Sequence, residues 1–277
     1  MDEAEGKMKK EKIIGYVVIG LAIIFFAYFT ISEISDVITA RKQAKWADLI
    51  GEETSGTQNE LILENADGSS TYNAKGVLID PSTLVILPEY QALYEQNHDM
   101  VGWLSIDGTD INYPVCQKAG DNEYYLKHAF DGAEDSNGTL FADYRSDIVN
   151  QTTNTLIYGH NMKNGMMFGQ LKKYQDENFL NEHRTINFNT IYDKRVYYII
   201  AVGLSEVKYK DENEYRYYNF INAETQTQLD AFVSTIESLS IFDEKLDITL
   251  DDKLLTLSTC NSYTDDGRLF IVAKRIK

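Results

Sequence analysis

The chain has 277 residues, 43% of them hydrophobic, which is enough for one sizeable packed domain with appendages and excludes global disorder. Its formal net charge is −17, and residues 1–45 carry seven Lys/Arg against six Asp/Glu, so the remainder carries −18. A domain that acidic argues against nucleic acid or an anionic lipid surface as partner.

The first predicted element is Ile13 to Ile31, nineteen residues without a charge. As a helix rising about 1.5 Å per residue it approaches the roughly 30 Å hydrocarbon layer of a bilayer. The alternative, a secretory signal peptide, fits less well: the apolar run is longer than an ordinary signal core, and Thr30-Ile31-Ser32-Glu33 offers no small-x-small cleavage site. Lys7, Lys9, Lys10 and Lys12 place residues 1–12 in the cytoplasm by the positive-inside rule, although Arg41, Lys42 and Lys45 on the far side weaken that bias. The reading is therefore an uncleaved single-pass anchor at 13–31 with the large C-terminal part outside the cell membrane.

From Ser32 to about Ile50 a helical pattern continues, with Ile34, Val37, Ile38, Trp46 and Leu49 available for one face. Gly51 to Lys75 is polar and rich in Gly, Ser, Thr, Asn and Glu, so 32–75 reads as a stalk helix plus linker, with a domain boundary near Gly76. Pro88 at the first turn predicts a short helix over Leu87 to Asn97. Strands are predicted at Val101–Ile106, Ile111–Cys116, Gly138–Phe141, Asn154–Tyr158, Thr185–Phe188, Arg195–Leu204, Lys253–Thr259 and Leu269–Ile276, with helices at Met166–Tyr174 and Thr225–Leu239. Many short strands with inserted helices predict a mainly antiparallel β-barrel with helical additions.

The end of the chain carries the chemistry. Leu254-Leu255-Thr256-Leu257-Ser258-Thr259-Cys260 puts a thiol at the open end of an apolar strand, and Arg268 begins the next strand. A hairpin brings the two together, and a neighbouring cation favours the nucleophilic thiolate and can donate to a developing oxyanion. Ile157-Tyr158-Gly159-His160-Asn161-Met162 supplies an acid/base at the end of another apolar run. Cys116, inside Ile-Asn-Tyr-Pro-Val-Cys, reads as a small core hydrophobe; a disulfide between Cys116 and Cys260 would consume the nucleophile. His98, His128, His160 and His183 are isolated from one another, so no metal site or cofactor is expected.

With these motifs, and with Ile111-Asn112-Tyr113-Pro114-Val115 and Asp121-Asn122-Glu123-Tyr124-Tyr125-Leu126 ahead of them, the chain from about Trp103 to Lys277 resembles a sortase, and more closely a class B sortase. The resemblance implies an eight-stranded barrel over a catalytic domain at 76–277, with the helix at Thr225–Leu239 in the long connection that distinguishes class B. It implies a cysteine transpeptidase in which Cys260 cleaves a C-terminal sorting signal after Thr through a thioester, His160 protonates the leaving amine, and Arg268 stabilises the oxyanion. The acceptor would be a peptidoglycan cross-bridge amine of a Gram-positive wall, or a pilin lysine in a polymerase; a catalytically dead, membrane-tethered binding module is the alternative outside enzymes. Asn122 and Leu126 match groove-lining positions of class B relatives, and Ser258 and Thr259 of the nucleophile motif, with Tyr215, Tyr217 and Tyr218, are candidates to bind the substrate in the same groove. Some relatives have an acidic residue directly after the cysteine. Here it is Asn261, with Asp265 and Asp266 further on, so a carboxylate partner for His160 stays unassigned.

Overall fold

The computed structural model describes residues 2–55, 84–206, 215–261 and 267–277. Beyond Ser55, the linker expected over Gly51 to Lys75 lies outside the described residues, as do the boundary near Gly76 and the pair Asp265 and Asp266. Helix α1 runs Asp2–Ser55, and among the described residues it is the one helix long and apolar enough to cross a membrane. Ile14, Phe25, Tyr28 and Ile31 on it are all exposed.

Eight strands form a closed barrel: β1 Met100–Ser105, β2 Asn112–Cys116, β3 Leu140–Ala142, β4 Asn154–Tyr158, β5 Thr185–Thr190, β6 Val196–Glu206, β7 Leu254–Asn261 and β8 Gly267–Arg275. Around the barrel the order is β1-β2-β3-β4-β7-β8-β6-β5, and β5 closes onto β1. The pairs β2–β3 and β4–β7 are parallel and the others antiparallel, so the expected mainly antiparallel barrel is found, with strand ends within about two residues of the predicted ones.

Alternation along the strands separates two apolar environments. Leu255 and Leu257 on β7 and Leu269, Ile271 and Ala273 on β8 belong to the cluster that fills the barrel. Leu254, Phe270 and Val272 belong to a second cluster on the outer face, beneath α4 (Gln226–Leu239), which contributes Leu229, Phe232 and Ile236. Helix α4 begins with a capping box, in which the Thr225 hydroxyl accepts from Gln228 N–H and the Gln228 side chain accepts from Thr225 N–H. A third cluster gathers Trp46, Tyr90 and Leu93 of α2 (Pro88–Gln96), Met100, Trp103 and Phe130, with the Trp46 and Phe130 rings edge to face at 5.0 Å.

The predicted helix over Met166–Tyr174 does not form. Gly165 and Met167 both take positive φ, +85° and +51°, and Phe168 N–H donates back to His160 O at 2.9 Å, which folds this stretch onto the end of β4. Only Leu171–Gln175 coils, as a 3₁₀ turn, and a short helix, α3 (Glu177–Glu182), follows because Asp176 Oδ1 accepts from the amides of Asn178 and Phe179.

Gly203 on β6 pairs with Phe270 of β8, and a Cβ there would stand 2.2 Å from the Phe270 ring. That ring is fully buried and stacks on Tyr217 at 4.3 Å, so it has no open space to retreat into. Gly203→Ala is therefore expected to destabilise the barrel by about 1–3 kcal/mol, the usual range for overpacking. Urea unfolding measures it, and an unchanged midpoint would contradict the packing described.

Candidate active site

Three neighbouring strands end together. Strands β4 and β7 run parallel in a register that pairs Asn154 with Leu254 and Tyr158 with Ser258, and Gly159 N–H donates to Ser258 O at 3.2 Å. His160 and Cys260 are each two residues beyond the last of these pairs. Strands β7 and β8 are antiparallel with Cys260 directly opposite Arg268. Since Leu257 and Leu269 face the interior while Leu254 and Phe270 face outward, the alternation assigns positions 260 and 268 to the outer face. His160 follows Tyr158 on the same parity. The strand-end motifs of the sequence are thus brought to one edge and one face of the barrel.

His160 is held from two sides. Its ring Nε2 lies 2.8 Å from Leu126 O, and since a carbonyl can only accept, Nε2 carries the hydrogen and Nδ1 is the acceptor nitrogen of the neutral ring. Leu126 is presented by a 3₁₀ turn at Tyr124–Leu126, which forms because Asp121 Oδ1 accepts from the amides of Glu123 and Tyr124. Gly159 has to be glycine: a Cβ would stand 2.4 Å from Leu140 Cδ2 and 2.8 Å from the Phe168 ring. Among the described residues the partner of the His160 ring is a main-chain carbonyl and not a carboxylate. Arg268 is half-buried, and its Nη1–H donates to Gly267 O at 3.2 Å.

The residues expected to line a groove divide into two groups. Asn122 Oδ1 accepts from Tyr144 N–H at 2.9 Å, and Tyr218 and Tyr215 are half-buried and exposed, respectively. Ser258, Thr259 and Tyr217 are buried, unlike a lining surface. Ser258 Oγ and Tyr217 OH are 2.7 Å apart, which fastens the 3₁₀ turn Tyr217–Asn219 onto β7 two residues before Cys260. Thr259 pairs with Leu269 on the inward parity. Alternation along one strand explains this: Thr259 takes the inward parity, and Ser258 lies beneath the Tyr217–Asn219 turn.

Beneath this edge lies a polar layer that the sequence reading did not single out. Asp143, fully buried just after β3, accepts from Arg145 Nε at 2.8 Å and Nη2 at 2.6 Å, and from Tyr158 OH at 3.2 Å. Burial alone would raise the Asp143 carboxyl, but the bonds from Arg145 and Asn122 hold it below the ordinary carboxylate range. Burial pushes the Tyr158 phenol up, so it stays protonated and donates. The only sequence signal was an Asp and an Arg two apart at a strand end, a pattern common on surfaces. Cys116 is a free, fully buried thiol pushed up by burial, as a core residue should be.

Comparison with known proteins supplies the family. The Sortase domain family profile matches residues 104–276. The chain belongs to the sortase family. Sortase B of Listeria monocytogenes is 33% identical over 220 residues, covering 79% of this chain and 85% of the relative. The Staphylococcus aureus sortase B-substrate complex superposes with a TM-score of 0.70 at 25% identity, covering 88% of this chain and 99% of that one. A sortase B complexed with triglycine superposes with a TM-score of 0.61 at 30% identity, covering 69% and 86%. This sortase is a cysteine transpeptidase of the sortase B type, on the eight-stranded sortase barrel.

The polar layer gives this sortase a testable pH dependence. The folded Asp143 carboxyl titrates below its unfolded value, so its contribution is complete above that unfolded value, about pH 3.9, and is lost as the pH falls through the folded one. Replacing both charges, Asp143→Asn with Arg145→Gln, is expected to flatten the decline of unfolding free energy below about pH 4. Equal acid slopes for the two proteins, from urea titrations at stepped pH, would contradict it.

Proposed function

We propose that Cys260 is the nucleophile, His160 the general acid/base and Arg268 the oxyanion donor of a membrane-anchored transpeptidase acting on C-terminal sorting signals. The convergence of positions 160, 260 and 268 on one edge of β4, β7 and β8 carries this reading. The Cys260 thiolate adds to the carbonyl carbon of a threonine in the signal, and the oxygen that becomes negative accepts from the Arg268 guanidinium. Collapse of the tetrahedral species breaks the C–N bond; His160, in its imidazolium form, gives the Nδ1 proton to the departing amine, leaving a neutral ring and a thioester on Cys260. An incoming amine, deprotonated by His160, attacks the thioester, forms the new amide and returns the thiolate.

Asn122, Leu126, Tyr215 and Tyr218 would flank the bound signal, while Tyr217, Ser258 and Thr259 would support the site from below. The substrate and triglycine complexes of the relatives support a peptide donor and a peptide acceptor, and a peptidoglycan cross-bridge amine is the acceptor of this reading. The exposed apolar side chains of Ile14 to Ile31 support an anchor that keeps the barrel at the outer surface of a Gram-positive cell membrane. In that arrangement residues 1–12 are cytoplasmic, 32–75 form the stalk and linker, and 76–277 form the catalytic domain.

Incubating the full chain in detergent with Thr-containing pentapeptides and an amine acceptor, then sequencing the cleaved products, tests the reading. Cys260→Ala is expected to abolish cleavage and transfer, whereas Cys116→Ala keeps most activity because the Cys116 thiol is buried and free. Turnover by Cys260→Ala at the wild-type rate would refute the mechanism.

Arg268→Lys tests geometry against charge. An ammonium lacks the planar fork that can present two parallel donors, so turnover should fall on the order of a hundredfold with no shift in the thiol titration. A lysine variant within a few fold of wild type would reduce Arg268 to a background charge.

A further inference from the structure

We infer that Arg145 is a positioning residue: it latches the Tyr217–Asn219 turn to the end of β3 and thereby sets the substrate-facing wall beside Cys260. The inference rests on the transpeptidase reading above and assigns that reading's groove a mechanical support. Arg145 grips Asp143 through Nε and Nη2, and the same Nη2 donates to Tyr218 O at 2.9 Å, across 73 positions of sequence. Asp143 is fully buried, so its carboxylate has no water to fall back on and holds the guanidinium in one orientation. The backbone amide between the two, Tyr144 N–H, donates to Asn122 Oδ1, and Tyr158 OH, two residues before His160, donates to Asp143. One corner, residues 143–145, therefore holds both Asn122 and Tyr218.

The turn has a second attachment, the neutral bond between Tyr217 OH and Ser258 Oγ, which fixes its distance from β7. With the Arg145 bond to the Tyr218 carbonyl, it restrains the turn from two different segments, β7 and the end of β3. Lysine cannot take the place of arginine here. An ammonium can pair with Asp143 or reach the Tyr218 carbonyl, whereas the fork does both from fixed geometry.

Arg145→Lys keeps the charge beside buried Asp143 and removes the bridge, so it separates latch from fold. The test uses the full chain in detergent, with three readouts: hydrogen exchange, peptide kinetics, and alkylation of Cys260 by iodoacetamide. The amides of Asn219 and Phe220 donate within the turn to Arg216 O and Tyr217 O. In Arg145→Lys their exchange should accelerate about tenfold or more, the order expected from losing a charged hydrogen bond. KM for the peptide should rise by a similar factor, with kcat and the iodoacetamide rate within a few fold of wild type. The Asp143→Asn, Arg145→Gln double variant, which leaves no buried charge, should show the same pattern, and it decides the matter if the lysine variant does not fold. Unchanged exchange at Asn219 and Phe220 would overturn the latch. Faster exchange with unchanged KM would overturn its link to substrate, and parallel losses in kcat and alkylation with unchanged KM would place Arg145 under Cys260 instead of under the wall. Should the wild type cleave no peptide, the transpeptidase reading fails, and the exchange data alone still decide whether the latch exists.

Discussion

A one-residue slip of β7 against β4 or β8 would move position 260 from the outward parity of the strand to the inward one, because successive positions on a strand belong to opposite faces. The register of β7 is consequently the constraint on which the rest of the site depends. It is defended from both directions. Leu255 and Leu257 inside and Leu254 outside are each buried in a different cluster, so a slip would exchange apolar environments all along the strand. Buried polar pairs add a directional lock: Thr256 Oγ1 donates to Asn154 Oδ1 at 2.9 Å, and Asn154 Nδ2 donates to Phe220 O at 3.0 Å. Each is satisfied in one register only, and an unpaired buried polar group costs roughly 1–3 kcal/mol.

The layer beside the site is polar, unlike the apolar clusters that fill the barrel and cover its outer face. A buried ion pair is a poor source of stability, since desolvating both charges offsets most of their attraction. What Asp143 and Arg145 contribute is direction. Tyr158, Asn122 and Tyr218 belong to three different segments, and each spends a polar atom on this one pair or on the amide between its members. A hydrophobic replacement could fill the same volume and would aim nothing.

The long connection between β6 and β7 joins the two apolar environments to the chemistry. Helix α4 covers the outer face of β8 with Leu229, Phe232 and Ile236, and Phe270, in the same cluster, stacks on Tyr217. The turn beside the site is therefore seated on the same ring that Gly203 leaves room for. Packing of the helix, position of the turn and the edge at Cys260 are linked through a few contacts.

Several parts of this protein were determined by the sequence alone. Eight strands and the helix at Thr225–Leu239 could be read from apolar runs and turn residues, because those depend on neighbours only a few positions away. The motifs around His160, Cys260 and Arg268 were legible for the same reason: each is a short run at a strand end. What only the tertiary structure decided is everything that pairs distant segments. The stretch from Met166 looked helical, yet Phe168 N–H bonds to His160 O and the chain turns back at Met167. Ser258 and Tyr217 looked like groove residues, and they face each other, buried on the outer side of the barrel, because the covering turn packs onto that face of β7. Asp143 and Arg145 carried only a local signal common on surfaces, since the meaning of that pair lies in a carbonyl 73 residues away and a phenol on the neighbouring strand. Local chemistry names the reacting groups, whereas strand register and buried hydrogen bonds, which exist only once the barrel closes, decide what holds them.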